Sequence, residues 1–251
     1  MRRILGVMRK AIEQFNMIEA GDRIAVGVSG GKDSLLLLTA LNQLKHFYTI
    51  PFELIAIHIN MGFSNANIIE YNAFTDYIKN LGVELIIEDT KLGEILFDIR
   101  KEKNPCSLCS NIRRGALNTI AIKHNCNKIA LGHHQDDVIE TFLLSLMYES
   151  RLSTFKPVSY LDRTKITLIR PFVLLSERDI IGYSKNLPVF HNPCPANKNT
   201  KREYMKDLIK KLINDIPMSK QRIFAAITHP ERNSLWDEVN TIEEDIDDKI
   251  E

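Results

Sequence analysis

Short apolar runs alternate with longer stretches of helical spacing along this chain. Residues 24–28, 52–59, 83–87, 127–131 and 167–170 are apolar or nearly so and are bounded by Gly, Pro, Asn or charged residues. The first run is short and bounded like a buried parallel strand, and the others predict further strands. A leading helix is predicted over residues 4–18, where Ile4, Met8, Ala11, Phe15 and Ile18 share a side and Gly21 supplies the stop. Further helices are predicted from residue 35 to about 41 and over 67–80, 107–124, 135–149, 176–186, 199–214 and 219–226. Residues 90–105 are less regular and end in a polar loop over 101–104. Strands alternating with helices imply right-handed crossovers. The expectation is an α/β fold, Rossmann-like, with a parallel sheet and helices on both faces. Ligands of such sheets sit off the C-terminal strand edges.

The chemistry begins where the first strand ends, at Ser29-Gly30-Gly31-Lys32-Asp33-Ser34. Two glycines let the backbone approach a ligand, and the helix that follows opens with unpaired N–H groups and a partial positive charge. Lys32 adds a cation and Asp33 a ligand or water anchor for Mg²⁺. The stretch is a candidate phosphate or pyrophosphate cradle. It is not a Walker A loop, which needs Gly where Val26 stands and Ser or Thr where Asp33 stands.

A second polar loop, Gly132-His133-His134-Gln135-Asp136-Asp137, falls where the fourth strand ends, with Glu140 and Thr141 one turn later. Two such loops at one sheet edge can form one site, and capping of the helix by Asp136 or Asp137 is compatible with it. His58, at the end of the second strand, points to the same edge. Taken alone, it reads more readily as a satisfied core histidine.

Composition narrows the class. The chain has 251 residues, 44% hydrophobic and 26% charged, ordinary for a soluble protein with ample core. No apolar stretch has the length of a membrane span. The first residues begin like a signal peptide, but Arg9, Lys10 and Glu13 interrupt it, so a cytoplasmic protein without a membrane partner is expected. The net charge of +1 conceals an asymmetry: residues 237–251 hold eight acids against one base, leaving about +8 on the remainder. Residues 1–236 read as a single domain and 237–251 as a frayed acidic tail.

Four cysteines in such a chain point to metal or redox chemistry more than to a disulfide framework. Cys106 and Cys109 form a CxxC pair at a loop-to-helix junction, and Cys194 lies in a Pro-flanked loop far along the chain. Three thiolates suit an iron–sulfur cluster with one iron open. With His191, they equally suit a Cys₃His zinc site, and a redox dithiol stands third. Arg113 and Arg114 follow the pair, and Lys201, Arg202 and further lysines follow Cys194, a bias that suits RNA.

Taken together, these motifs resemble the tRNA 2-thiocytidine synthetase family of PP-loop (N-type) ATP pyrophosphatases. The resemblance rests on Phe15 to Arg23 leading into Ser29–Ser34, on Cys106-Ser107-Leu108-Cys109 followed by Arg113-Arg114-Gly115, and on Gly132–Asp137 with Glu140-Thr141. It covers roughly residues 1–215. It implies an adenine-nucleotide α-hydrolase fold and a two-step reaction. ATP with Mg²⁺ adenylates the C2 oxygen of a tRNA cytosine, normally at position 32, and sulfur then displaces AMP. It further implies that Ser29, Gly30, Gly31 and Ser34 bind phosphates, with Lys32, Asp33 and Asp137 the catalytic candidates. Gly132, His133 and Asp137, with His58, are expected near the nucleotide, and Cys106, Cys109 and Cys194 are expected to hold a [4Fe–4S] cluster, which tilts the metal question toward iron. The implied partners are tRNA, contacted by Arg113, Arg114, Lys201 and Arg202, and a sulfur donor, either inorganic sulfide or one derived from a cysteine desulfurase. A homodimer is the family expectation. This chain departs from the family in Gln135, where Arg is usual, and in a single cysteine near the third ligand. The alternatives are a PP-loop enzyme of 2-thiouridine or lysidine synthesis, and a zinc-containing nucleotide- or RNA-binding module.

Overall fold

A computed structural model describes residues 1–63, 67–95, 105–190, 194, 200–232 and 234–235, without the side chains of 105–107. The acidic segment 237–251 and His191 lie outside the described residues. The elements run α1 (Arg2–Gln14), β1 (Asp22–Gly27), α2 (Lys32–Lys45), β2 (Phe52–Asn60), α3 (Ile68–Asn80), β3 (Glu84–Asp89), α4 (Pro105–Lys123), β4 (Lys128–Ala130) and α5 (Gln135–Glu149). They continue with β5 (Val158–Leu161), β6 (Ile166–Ile169), α6 (Glu177–Ser184), α7 (Lys201–Asp215), α8 (Ser219–Thr228) and a 3₁₀ turn at Pro230–Arg232.

The strands form one six-stranded sheet in the order β3-β2-β1-β4-β6-β5. All neighbours are parallel except β5, which pairs antiparallel with β6. The chain builds outward from β1 to β3 and then returns to the other side of β1 as β4. The order therefore reverses between β1 and β4, and a crevice opens beyond their C-terminal ends.

Alternate residues of the central strands feed two cores. Ile24 and Val26 of β1 face α1, α2 and α3, while Ala25 joins Ile55, Ile57 and Ile129 beneath Leu117, Ile120 and Ala121 of α4. Burial of both faces explains the apolar runs. Helix α2 is apolar all round, with Leu35 to Leu38, Leu41 and Leu44 buried, because α1 and α6 cover the sides that the sheet does not. Deleting one such leucine side chain to Ala costs about 2–5 kcal/mol.

The strands' N-terminal ends are clasped by polar groups. Lys128 Nζ lies 2.8 Å from Asp22 Oδ2 with both side chains buried, and Asn127 Nδ2 donates to Asp22 Oδ1 at 2.7 Å. This clasp fixes the register Ile24↔Lys128 between β1 and β4.

Two expectations are corrected. The first helix ends at Gln14 rather than 18, because Asn16 takes a left-handed φ of 49° and the Met17 N–H turns back to the Ile12 carbonyl. The edge strand β5 and the final 3₁₀ turn were not anticipated.

Candidate active site

The first loop of the crevice is built almost wholly from its own residues. Ser34 Oγ accepts from the Ser29 N–H at 3.1 Å, donates to the Gly31 carbonyl at 3.0 Å and lies 3.2 Å from Ser29 Oγ. Gly31 is the extended N-cap of α2 with no side-chain cap, so the first N–H groups of that helix face the crevice unclaimed by a capping residue. Gly30 has φ +88°, and a Cβ there would stand 2.8 Å from the Phe190 ring and 2.9 Å from the Phe190 carbonyl oxygen. The Phe190 N–H in turn donates to the Gly30 carbonyl at 3.0 Å. Glycine is needed at this position both for its φ and for the close approach of Phe190.

Beneath the loop, His58 is buried and its Nδ1 lies 2.8 Å from the Val28 carbonyl. Burial pushes its pKa down, partly offset by that bond. The neutral ring must then carry its proton on Nδ1, since a carbonyl only accepts. Phe74, Phe190 and Tyr71 enclose it. The structure thus places His58 under the loop rather than in the cavity lining.

The second loop, after β4, touches the first. A Cβ on Gly132 would lie 3.0 Å from the Asp33 carbonyl carbon and the Ser34 nitrogen. Asp137 Oδ2 accepts the His134 N–H at 3.0 Å, capping α5. Its other oxygen, Oδ1, receives Arg202 Nη1 at 3.0 Å. Asp136 accepts the Glu177 N–H of α6 at 2.8 Å and pairs with Lys220 of α8. His133 lies against Phe155 with ring centroids 4.9 Å apart, and burial pushes its pKa down to about 4 despite Asp137. It is therefore uncharged at neutral pH.

Between the loops lies a cavity of about 290 Å³. Ser29, Asp33, Ser34, Gly132, His133 and Asp137 line it from the loops, and Arg113 and Arg114 line it from α4. The sequence motifs therefore converge on one space. Lys32 stands outside that lining, with Nζ 3.0 Å from Asp33 and 3.1 Å from Glu177. Burial opposes its charge, but the two carboxylates outweigh this and raise its pKa. Lys201 lies over the Tyr148 ring at 4.2 Å, and Arg202 is folded onto Asp137 and Thr141. Two of the four basic residues expected to face RNA thus have partners within the fold.

Arg170 is a lining residue that the sequence reading passed over. It follows β6 directly, is 7% exposed, and donates to the Lys156 carbonyl at 2.6 Å and to Ser159 Oγ at 3.2 Å. The guanidinium sits 4.8 Å over Phe155, and its Nε is buried without a hydrogen-bond partner. Burial and then Arg114 push its pKa down to about 10, which leaves it charged at pH 7. The available signal was position, since Arg170 ends a strand at the same sheet edge as both loops.

Among the described residues, no three His, Cys, Asp or Glu side chains form a metal-holding group. The Cys106 side chain lies outside that description. Cys109 and Cys194 are half-buried thiols. Cys109 stands one turn before the cavity-lining Arg113 on α4, with Cys106 at i−3 on the same helix. Cys194 follows Phe190, which holds the first loop.

No described helix is long and apolar enough to cross a membrane. The PP-loop domain family matches residues 5–216. Over 242 residues the chain is 38% identical to the tRNA-cytidine(32) 2-sulfurtransferase of Pelobacter propionicus, covering 94% of this chain and 89% of that protein. Over 241 residues it is 40% identical to that of Dichelobacter nodosus, covering 94% and 88%. Among solved structures it resembles the U34-tRNA thiolase NcsA from Methanococcus maripaludis with its [4Fe-4S] cluster. There the TM-score is 0.72 at 27% identity, over 91% of this chain and 79% of that one. An NH3-dependent NAD synthetase from Campylobacter jejuni shares the fold, with TM-score 0.50 at 15% identity over 94% and 98%. The strand order, the two loops and these matches agree: the chain belongs to the PP-loop domain family and, within it, to the tRNA-cytidine(32) 2-sulfurtransferases.

Proposed function

We propose that this protein thiolates a tRNA cytosine at C2, at position 32, using ATP. The observation that carries the reading is the cavity where both loops meet Arg113, Arg114 and Arg170, an anion-binding space one helical turn from Cys109. The open N–H groups of α2, with Ser29, Gly30, Gly31 and Ser34, take the phosphates, and Lys32 offsets their charge. Asp33 and Asp137 assist Mg²⁺, and Gly132 and His133 flank the nucleotide.

In the first step the cytosine C2 oxygen attacks the α-phosphorus. A new O–P bond forms, the bond to the β-phosphate oxygen breaks, and pyrophosphate leaves. In the second step sulfide attacks C2, the C–O bond breaks, AMP leaves with both bonding electrons, and carbon keeps its oxidation level. Adenylation is needed because the carbonyl oxygen is by itself a poor leaving group. A [4Fe–4S] cluster on Cys106, Cys109 and Cys194 would supply an iron free to bind the sulfide. The arginines stabilise charge developing on the transferred phosphate and draw the RNA backbone toward it. The sulfide comes from a cysteine desulfurase or from solution, and the enzyme works as a homodimer in the cytoplasm.

The test is a reaction with tRNA, ATP and sulfide, followed by nucleoside mass spectrometry. AMP and pyrophosphate should appear with 2-thiocytidine. ADP as product, or 2-thiouridine instead, would sink the assignment. Anaerobic purification should give about four irons per chain, lost in Cys194→Ala. A colourless protein with one tightly held zinc would remove the cluster.

A further inference from the structure

Lys32 is the cation of the first loop, yet it is not among the residues that line the cavity. It opens α2, so its backbone stands where the phosphate cradle ends. Its Nζ lies 3.0 and 3.2 Å from the two Asp33 carboxylate oxygens and 3.1 Å from Glu177 Oε1. Glu177 reaches it from the other side of the crevice. It is the first residue of α6, and its backbone is tied to the second loop. The Glu177 N–H donates to Asp136 Oδ2 at 2.8 Å, and two residues earlier the Leu175 carbonyl accepts the Gln135 N–H at 2.8 Å. A side chain mounted on one loop thus holds the charge of the other. Two carboxylates on one ammonium leave the group with a net negative charge beside the cradle. The two restraints are not alike. Asp33 lines the cavity on the same helical turn, so Lys32 can turn inward without losing it, whereas Glu177 stands outside the lining. The Lys32 and Glu177 side chains are 30% and 26% exposed, and a lysine stem is flexible, so their pair can be exchanged.

We propose that Glu177 is a positioning residue that holds the Lys32 ammonium out of the cavity until a phosphate of the nucleotide takes its place. The inference rests on the ATP reading above. An arriving polyphosphate must break the Lys32–Glu177 pair before Lys32 can offset its charge. Glu177 therefore opposes binding, and it does so only through Lys32.

The experiment measures binding of a non-hydrolysable ATP analogue with Mg²⁺ to the full chain by equilibrium dialysis. Four proteins are compared: the parent, Glu177→Gln, Lys32→Met and the double variant. Glu177→Gln should bind the analogue about threefold more tightly, the worth of a partly exposed ion pair. In the Lys32→Met background the same substitution should change nothing, because no ammonium is left to hold. A gain that persists there would mean that loss of a negative charge suffices, and would overturn the proposal. Unchanged binding by Glu177→Gln overturns it too, and weaker binding shows that Glu177 aims Lys32 at the phosphates instead of restraining it. A parent that binds no analogue overturns the ATP reading itself, and this inference with it. Glu177→Gln keeps the backbone N–H that Asp136 accepts and the size of the side chain. Should it still fail to fold, Glu177→Asp carries the same cycle, its carboxylate one methylene further back, with a smaller gain expected and none overturning the idea.

Discussion

The two loops of the crevice do the same job by opposite constructions. The loop after β1 is closed mainly by neighbours, since Ser34 holds Ser29 and Gly31 within six residues, with Phe190 and Glu177 as distant partners. The loop after β4 is held from a distance, by the Glu177 N–H of α6, by Lys220 of α8 and by Arg202 of α7. A locally closed loop presents a fixed cradle to phosphates. A loop held by three separate helices responds to what those helices do. The first suits binding, and the second suits coupling.

Substitutions can break or sharpen that contrast. The largest effect is expected from Gly30→Ala. The left-handed φ costs about 1–2 kcal/mol for a residue with a Cβ, and the clash with Phe190 backbone adds to it. A fall in the urea midpoint together with lost nucleotide binding would show it, whereas a wild-type midpoint would mean that the loop is not built as described.

Next comes Glu140, on the second side. Burial raises its pKa to about 7, with Asp137 and Glu177 adding to the rise and Lys206 and Arg202 opposing it. For an acid this lowers stability as pH rises from about 4.5 to 7, because the folded state holds a proton that the unfolded state has released. Glu140→Gln should therefore flatten the stability profile in that window. It should gain about 2–3 kcal/mol at pH 8 and little at pH 4, measured by urea unfolding at several pH values.

Asp136→Ala should cost about 2 kcal/mol by stranding Lys220 and the Glu177 N–H. Hydrogen exchange should then rise in α6 and α8, far away in sequence. Exchange confined to the loop would erase the contrast. Arg170→Met should raise the KM for ATP about tenfold, the worth of one charge-assisted hydrogen bond. Ser34→Ala should cost the least, about 1 kcal/mol, with exchange changes limited to residues near 29–34.

Legibility followed the same divide. Strands β1, β2 and β4 could be read directly because both of their faces are buried and their residues are apolar. The serine–glycine cradle was legible because its bonds are local. Edge strand β5 escaped because its four residues are mostly half-buried, and because the turn before β6, with Lys165 at φ 56°, lacks glycine. The partners of Asp136, Asp137 and Arg202 were invisible, since each joins residues between 41 and 84 positions apart and no local pattern encodes such pairs. That Arg202 is engaged with Asp137 and Thr141 could not be read either, because sequence cannot tell a free guanidinium from a paired one.

The clasp at the far ends of β1 and β4 bears on the order in which the molecule comes together. Asp22 and Asn127 are 105 positions apart, whereas the partners of β1 with β2 and of β2 with β3 are about 30 apart. Joining β1 to β4 closes the longest loop in the sheet, and that entropy must be met before the contact gives anything back. On this loop-closure argument the β1–β4 pairing, and the crevice with it, is expected to form later than the pairing of β1 with β2 and β3. A chain emerging from the ribosome has Gly30 and Gly31 early, yet it has no crevice until β4 docks beside β1. On the proposed ATP reading, nucleotide binding would therefore report that β4 has docked beside β1.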